Sequence, residues 1–289
     1  MGDGRREPVV RRHGLCADHR HAVMTETTRM VIMDDVDRSP APSAGASEKT
    51  LRVLAAALAH PRFTDIVAEA GLAKATVHRI LATLVSQEYL GGSAEQGYRA
   101  GPTLLALSGR ALASVDISSV AAPLVEQLAA EVDCTIHVGV ATDSEMVYVI
   151  RRDAAKPYRM RSRVGLAVPM HSSGMGKVVL ADWAPERVDA LAERMGLPRR
   201  TDLTITDLDA LHEELARVRA RGYATDLGEN ESGTVCVSAP IRDHTGAVTH
   251  GLSVSSIELE YPGHTIEELA PAAIAAADRI SRELGAPSV

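Results

Sequence analysis

The chain has 289 residues, of which 45% are hydrophobic and 24% are charged, with 31 lysines and arginines against 38 aspartates and glutamates. This length predicts two domains, and the apolar runs are too short to cross a bilayer, which excludes an integral membrane protein. Three cysteines without a C-x-x-C pair exclude a disulfide scaffold and a structural zinc finger. No continuous apolar segment follows the arginine-rich start, so we predict a cytoplasmic protein without a secretory signal.

Charge is distributed unevenly along the chain. Residues 1–46 carry 7 basic and 7 acidic side chains, residues 47–115 carry 7 and 5, and residues 116–289 carry 17 and 26. A mildly basic middle segment followed by an acidic one is typical of two domains with different partners. Residues 1–46 mix Arg, Asp, Gly and Pro without an apolar period, and we predict that they form a disordered tail.

Three short helices are predicted next, in a domain that spans residues 47–102. The first helix begins with Ser47 as its N-cap and stops before Pro61. The second begins at Thr64 and ends at Gly71. The third follows directly, and its apolar face carries Val77, Ile80, Leu81 and Leu84.

The junction of the second and third helices is the most informative local feature. A short helix, a tight turn at Gly71 and a helix with a polar, basic outward face predict a helix-turn-helix. Two packed helices of any helical domain would explain the apolar positions, but not the absence of Asp and Glu from Lys74 to Val85. A helix that lies against DNA phosphates must avoid carboxylates on that face. The DNA contacts predicted on this helix are Lys74, Thr76, His78 and Arg79.

A β-hairpin and a further helix complete this part of the chain. Two strand-like pieces at residues 89–90 and 98–100 flank a glycine-rich polar tip, which predicts a winged helix-turn-helix with Arg99 against the DNA backbone. Residues 103–119 are predicted as a linker helix, and the periodic apolar pattern is clearest from Thr103 to Val115.

Residues 120–289 are predicted to form an α+β domain with an antiparallel sheet, because pairs of strands are joined by hairpins and the helices come in separate groups. The predicted strands span residues 134–142, 146–151, 234–240 and 247–256. The predicted helices span residues 120–132, 174–182, 185–195, 207–221 and 265–284.

The last two strands predict a face with small polar side chains. Alternation along a strand puts Cys236 and Ser238 on one side, and Gly251, Ser253 and Ser255 on the corresponding side of the partner strand. Such a face leaves room and hydrogen-bond donors for a ligand. The alternative is a solvated sheet face, and the spacing alone does not decide between the two.

A glycine-rich helix start at Gly174 is a second candidate for ligand binding. Its backbone amides and the helix dipole favour a carboxylate, although close packing is an alternative reason for the glycines. A P-loop is excluded because His171 and Val178 occupy positions that require Gly and Ser or Thr.

Motifs of enzymes are missing from the sequence. It has no G-x-S-x-G elbow and no zincin motif, since Ala216 occupies the position of the second histidine after His212. Cys134 and His137, three residues apart on a strand, face opposite sides of the sheet. We therefore predict a protein without catalytic activity, metal or cofactor.

Together, the motifs resemble the IclR family of bacterial transcriptional regulators. The similarity covers nearly the whole chain after Ser47, in the order of the family. The stretches that carry it are FTDIVAEAGLAKATVHRILATLVSQEYL at residues 63–90, YRAGPTLLAL at 98–107, RSRVGLAVPMHSSGMGKVVL at 161–180, LPRRTDLTIT at 197–206 and RARGYATDLGENESGTVCVSAP at 219–240.

This resemblance implies a ligand-responsive transcriptional regulator that binds double-stranded operator DNA and assembles as a homodimer or homotetramer. It implies a small-molecule effector, usually a metabolite carboxylate, in the C-terminal domain. The effector-binding residues that it implies are Gly174, Met175, Asp226, Cys236, Ser253 and Ser255. The alternative function is an enzyme or metal-binding sensor that acts on a small acid in the same pocket, with Cys236 as a nucleophile.

Three positions depart from the pattern of the family. Ala75 replaces a frequent serine at the start of the recognition helix, and Val235 replaces a frequent arginine. Met175 occupies a position where smaller residues are common, so the resemblance implies a narrower pocket or a different ligand.

Overall fold

The computed structural model describes residues 45–157, 159–260 and 265–287. The tail predicted over residues 1–46 lies, except for its last two residues, outside this described part. The chain divides into two compact units, of which the first ends at Leu81 and the second begins at Ala82. This division falls inside the third helix, and the domain boundaries at residues 46, 102 and 119 stay predictions.

The three predicted N-terminal helices are confirmed as α1 (Ala46–Ala59), α2 (Phe63–Ala70) and α3 (Lys74–Ser86). Ser47 as the N-cap of α1 is wrong, because Gly45 holds that position in extended conformation. The fully buried core side chains of the first unit include Val53, Ile66, Val77 and Leu81, of which Val77 and Leu81 lie on the apolar face predicted for α3.

The turn after α2 depends on Gly71. Its φ of 61° is the left-handed conformation that ends many helices and that glycine adopts without strain. Arg52 on α1 donates from Nη2 to the carbonyl oxygen of Ala70 at 2.5 Å, and a Cβ at Gly71 would lie 3.2 Å from the same nitrogen. The left-handed conformation favours glycine, and a larger residue would also require the arginine nitrogen to shift by a few tenths of an ångström.

The predicted hairpin consists of β1 (Leu90–Ser93) and β2 (Gly97–Ala100), which pair in antiparallel register. The tip is shorter than the sequence suggested, because Gly91 and Gly92 belong to β1. A Cβ at Gly92 would lie 1.9 Å from the carbonyl oxygen of Gly97, so the two strands approach each other too closely for any larger residue.

The linker helix predicted over residues 103–119 is wrong in extent. Two helices occupy the region, α4 (Pro102–Ala113) and α5 (Ile117–Val132). The chain breaks between them because the Asp116 carboxylate caps α5, accepting hydrogen bonds from the amides of Ser118 and Ser119.

Within the described ranges, no single helix is long and apolar enough to cross a membrane. In the described part of the chain, only α4 and α5 taken together have the length and apolar composition of a membrane span, and they are bent by 55° at their break. Three side chains of α5, Ala121, Val125 and Leu128, are buried in the core of the second unit.

The α+β class and the antiparallel sheet are confirmed. Six strands pair in the order β5-β4-β3-β8-β7-β6, and every neighbouring pair is antiparallel. Their bounds are β3 (Thr135–Ala141), β4 (Glu145–Arg152), β5 (Ala167–Pro169), β6 (Ala224–Leu227), β7 (Thr234–Arg242) and β8 (Val248–Ile257). The two edge strands, β5 and β6, were not predicted because three or four residues carry too little pattern.

Four more α-helices lie in the described part of the second unit: α6 (Gly174–Leu180), α7 (Pro185–Met195), α8 (Leu208–Arg221) and α9 (Ala270–Glu283). The final helix is shorter than predicted, since its first turn, Ile266–Leu269, is a 3-10 helix. Another 3-10 turn, Glu258–Glu260, follows β8.

The sheet separates two hydrophobic cores. Side chains of β3, β7 and β8 that face α5 and α9 form the first core, with Ile136, Val237, Leu252 and Val254 fully buried. The second core lies around α6, α7 and α8 and contains Met146, Met175 and Val179. Alternation along β7 and β8 therefore directs Cys236, Ser238, Ser253 and Ser255 toward α6.

Candidate effector site and nucleic-acid interface

Strand register brings the predicted polar residues of the sheet together. Cys236 lies opposite Ser255, and Ser238 lies opposite Ser253, on β7 and β8. On the other side of β7, Asp226 on β6 is the register partner of Cys236. All five side chains are at most 9% exposed, so the alternative of a solvated sheet face is wrong.

A chain of hydrogen bonds runs through this face. The hydroxyls of Ser253 and Ser255 are 3.0 Å apart, and His137 Nδ1 lies 3.3 Å from Ser255 Oγ. On its other side, His137 Nε2 lies 2.7 Å from Ser162 Oγ. The prediction that His137 and Cys134 face opposite sides of the sheet is confirmed, because Cys134 belongs to the first core and His137 does not. The sequence did not connect His137 to the serines. That contact depends on the pairing of β3 with β8.

Cys236 is a neutral thiol. Burial is the main cause that raises its pKa to about 12, and the nearby Asp226 carboxyl raises it further. Hydrogen bonds with Ser255 and Ser253 oppose these effects without cancelling them. At neutral pH the thiol is a weak donor to a ligand or neighbour, and it lacks the thiolate that nucleophilic attack requires.

The glycines at the start of α6 allow close packing. A Cβ at Gly174 would lie 2.5 Å from Ser238 Oγ, and one at Gly176 would lie 2.2 Å from the carbonyl oxygen of Met170. Ser238 Oγ is buried and has no hydrogen-bond partner among the described residues. Packing therefore accounts for both glycines, while a buried hydroxyl without a partner lies beside the first turn of α6.

The Met175 side chain packs against two glycines of the sheet. A Cβ at Gly139 would be 3.2 Å from Met175 Sδ, and one at Gly251 would be 2.9 Å from Met175 Cβ, so the methionine covers these two glycines within the second core. Its backbone amide lies in the first turn of α6. Because α6 has seven residues, its dipole is smaller than that of an average helix.

Asp226 is held at the end of β6 by backbone amides. Its Oδ1 accepts hydrogen bonds from the amides of Glu229 at 2.7 Å and Asn230 at 3.2 Å. These bonds favour the carboxylate, yet burial outweighs them and raises the pKa of Asp226 to about 7. Near neutral pH this carboxyl can therefore accept a ligand hydroxyl as an anion or donate to a ligand as an acid.

A buried lysine lies next to this site. Lys177 on α6 is 1% exposed, and its Nζ contacts Glu229 Oε1 at 2.5 Å and Glu214 Oε1 at 4.0 Å. Glu214 also pairs with Arg217 and Arg221. No local sequence pattern indicated the carboxylate partners of Lys177, which are far away in the chain.

The pKa of Asp226 predicts a pH-dependent contribution to stability. Its pKa is near 4 in the unfolded chain and about 7 in the folded one, so between these values the folded state binds more protons and stability falls as pH rises. Asp226→Asn keeps an oxygen for both amides and removes this titration. We expect Asp226→Asn to melt progressively higher than wild type between pH 5 and pH 8; parallel melting curves across this range would contradict it.

The recognition helix presents the predicted DNA-contacting side chains. Lys74, His78 and Arg79 on α3 are exposed, Thr76 is half-buried, and Val77 on the opposite face is buried. The rings of Phe63, at the start of α2, and His78 form a T-shaped contact with a centroid distance of 6.3 Å. Exposed basic and polar groups on one helix face suit contact with phosphates and base edges.

Arg99 on β2 is exposed as well, and its guanidinium lies over Gly91 on the paired strand. A cation at the surface of the hairpin suits contact with a phosphate backbone. The departure at Ala75 leaves an exposed methyl group in the first turn of α3.

Comparison with known proteins identifies the family. The family described as "Bacterial transcriptional regulator IclR C-terminal" matches residues 109–282, and the "IclR helix-turn-helix domain" matches residues 48–91. The chain belongs to the IclR family. The helix-turn-helix is thus the DNA-binding domain of an IclR-type transcriptional regulator.

Relatives and solved structures agree with this assignment. The HTH-type transcriptional regulator KdgR of Escherichia coli is 32% identical over 77% of this chain and 85% of its own length. An IclR-type regulator from Silicibacter is 25% identical, with a TM-score of 0.74 over 85% of this chain and 98% of that one. An IclR homologue from Microbacterium hydrocarbonoxydans was solved in complex with 4-hydroxybenzoate. It is 25% identical, with a TM-score of 0.54 over 83% of this chain and 99% of that one.

A variant in the recognition helix tests the DNA interface of this IclR-family member. Arg79→Ala should weaken operator binding by about 1 to 3 kcal/mol. If Arg79 contacts phosphate, the salt dependence of binding should also flatten, and if it contacts a base, preference at one operator position should relax. Fluorescence anisotropy over a salt series checks this, and unchanged operator binding would remove Arg79 from the interface.

Proposed function

We propose that this chain is a transcriptional regulator whose affinity for operator DNA responds to a small carboxylate bound in the C-terminal domain. The observation that carries the proposal is the buried polar face formed by Cys236, Ser238, Ser253 and Ser255 beside Asp226. A buried sheet face is normally apolar, and in this one Ser238 Oγ has no hydrogen-bond partner among the described residues, which costs about 1 to 3 kcal/mol. A ligand that accepts a hydrogen bond from this face would compensate for that cost.

Each residue has a role in the proposed site. The hydroxyls of Ser253 and Ser255 and the Cys236 thiol donate to ligand oxygens, and Asp226 interacts with a hydroxyl or keto group. The amides of Gly174 and Met175 add donors at the first turn of α6. The complex of the Microbacterium homologue with 4-hydroxybenzoate supports a carboxylate as the ligand class.

The DNA-binding role is assigned to Lys74, Thr76, His78 and Arg79 on α3, with Arg99 on the hairpin. A homodimer or homotetramer places two such helices on a two-fold operator, which multiplies the affinity of one half-site. The effector changes operator affinity only if it binds the two conformational states of the protein unequally.

The enzyme alternative is disfavoured by the state of its candidate nucleophile. Because the Cys236 pKa is raised to about 12, the thiol stays protonated at neutral pH. We therefore assign Cys236 to ligand binding and propose a regulator without catalytic activity.

A thermal-shift screen tests this function. The panel consists of acetate, pyruvate, succinate, benzoate and 4-hydroxybenzoate, each measured with the full chain at several concentrations. A ligand that binds only the folded state raises the melting temperature with concentration by mass action. We expect at least one acid to stabilise wild type and to change operator affinity; if none does either, the proposed function is wrong.

A further inference from the structure

The connection between β4 and β5, residues 153–166, has one buried anchor. Among its described residues only Ser162 is buried, at 9% exposure. Its hydroxyl lies 2.7 Å from His137 Nε2. Arg161 in the same connection pairs with Glu231 at 3.7 Å, but the arginine side chain is 89% exposed, so this contact is weak. Ser162 therefore ties the connection to the polar face through His137.

His137 is a neutral imidazole. It is 1% exposed, and burial, followed by the positive charge of Arg151, lowers its pKa to about 3. A neutral imidazole has one N–H donor and one nitrogen acceptor. Both nitrogens face hydroxyls, those of Ser162 and Ser255, so accepting from one serine requires donating to the other.

Two directions of this hydrogen-bond chain are possible, one for each neutral tautomer of His137. Hydroxyl donors form shorter bonds on average than N–H donors do. We assign the shorter contact, at 2.7 Å, to donation from Ser162 to Nε2, which leaves Nδ1 to donate to Ser255 across 3.3 Å. Ser255 then accepts from His137, and its single hydrogen is directed toward Ser253 or a ligand.

We propose that His137 is a positioning residue of the effector site: fixed by Ser162, it holds Ser255 as a hydrogen donor and so selects a carboxylate over the corresponding neutral amide. This inference rests on the proposed function. In the opposite tautomer, Ser255 would donate to His137 and present a lone pair to the ligand, which repels a carboxylate oxygen. The state of one imidazole proton thus sets the ligand class.

The ligand-free protein provides the first test. Nitrogen-15 NMR of protein labelled at histidine distinguishes the two neutral tautomers, and His137→Gln identifies the signals of His137. We expect the Nδ1-protonated tautomer in wild type and a mixture in Ser162→Ala, because the variant lacks the hydroxyl that donates to Nε2. A wild-type spectrum with the Nε2-protonated tautomer would overturn the proposal.

Ligand discrimination provides the second test. The acid of the panel that stabilises wild type most is titrated by calorimetry beside its primary amide. Ser162→Ala should weaken acid binding by about tenfold, the effect of about one hydrogen bond, and weaken amide binding less. Ser162→Thr retains the hydroxyl and should restore acid affinity, and Val164→Ala, at a 59% exposed position of the same connection, serves as the control.

The outcomes separate this proposal from the proposed function. If Ser162→Ala binds the acid as tightly as wild type does, or loses acid and amide affinity equally, His137 does not select the ligand class. If no acid binds wild type, the proposed function fails, and the ligand-free spectrum still shows which nitrogen of His137 carries the proton.

Discussion

Replacing Ser253 and Ser255 together by alanine is expected to abolish the effector response while leaving operator binding intact. Both serines are at most 3% exposed, and their hydroxyls form the centre of the polar face. Each lost donor leaves a buried ligand oxygen without a partner, at about 1 to 3 kcal/mol, so acid affinity should fall by at least about thirtyfold in the double variant. Calorimetry with the best acid of the panel, and operator titrations with and without it, measure both effects.

The matched control is Ser281→Ala. Ser281 on α9 is also buried, at 6% exposure, but its hydroxyl donates to the carbonyl oxygen of Ala277 and accepts from the amide of Arg242. Ser281→Ala should lose stability and keep acid affinity. If the Ser253 and Ser255 double variant still responds to the acid with wild-type affinity, the effector binds elsewhere.

The largest expected loss of stability comes from Lys177→Met. Lys177 is 1% exposed, and its removal leaves the half-buried Glu229 carboxylate without the only cation that contacts it in the described structure. Breaking a buried ion pair by removing one partner costs about 3 to 5 kcal/mol. In a domain of this size that corresponds to a fall in melting temperature on the order of 10 °C, measurable by circular dichroism.

Two further variants make this prediction specific. Lys177→Met combined with Glu229→Gln removes both charges and should recover much of the lost stability, because the penalty comes from the unpaired carboxylate. Arg217→Met removes a 58% exposed partner of Glu214 and should cost at most about 1 kcal/mol. A loss in Lys177→Met no larger than in Arg217→Met would show that the buried pair does not stabilise the domain.

The sequence was sufficient for those parts of the fold that depend on local periodicity. Alternation along residues 234–240 and 247–256 correctly assigned Cys236, Ser238, Ser253 and Ser255 to one face, because the side-chain period of a strand is fixed by backbone geometry. Gly71 likewise marked the end of α2, because a helix often ends at a residue in the left-handed conformation, which glycine adopts without strain.

The remaining parts of the site depend on contacts between residues far apart in the chain. His137 and Ser162 are 25 residues apart, and Lys177 and Glu229 are 52 apart, so no local pattern could join them. The linker helix was overextended for a different reason: apolar residues continue at helical spacing past Ala113, and the break depends on the capping carboxylate of Asp116.

The most direct test of effector-controlled DNA binding is reciprocal titration of operator and acid on the full chain. Linkage requires that the factor by which saturating acid changes operator affinity equals the factor by which saturating operator changes acid affinity. We predict a change of at least about fivefold in wild type, equal in both directions, and none in the Ser253 and Ser255 double variant. Operator affinity that is identical at zero and saturating acid, with the acid bound, would contradict the account.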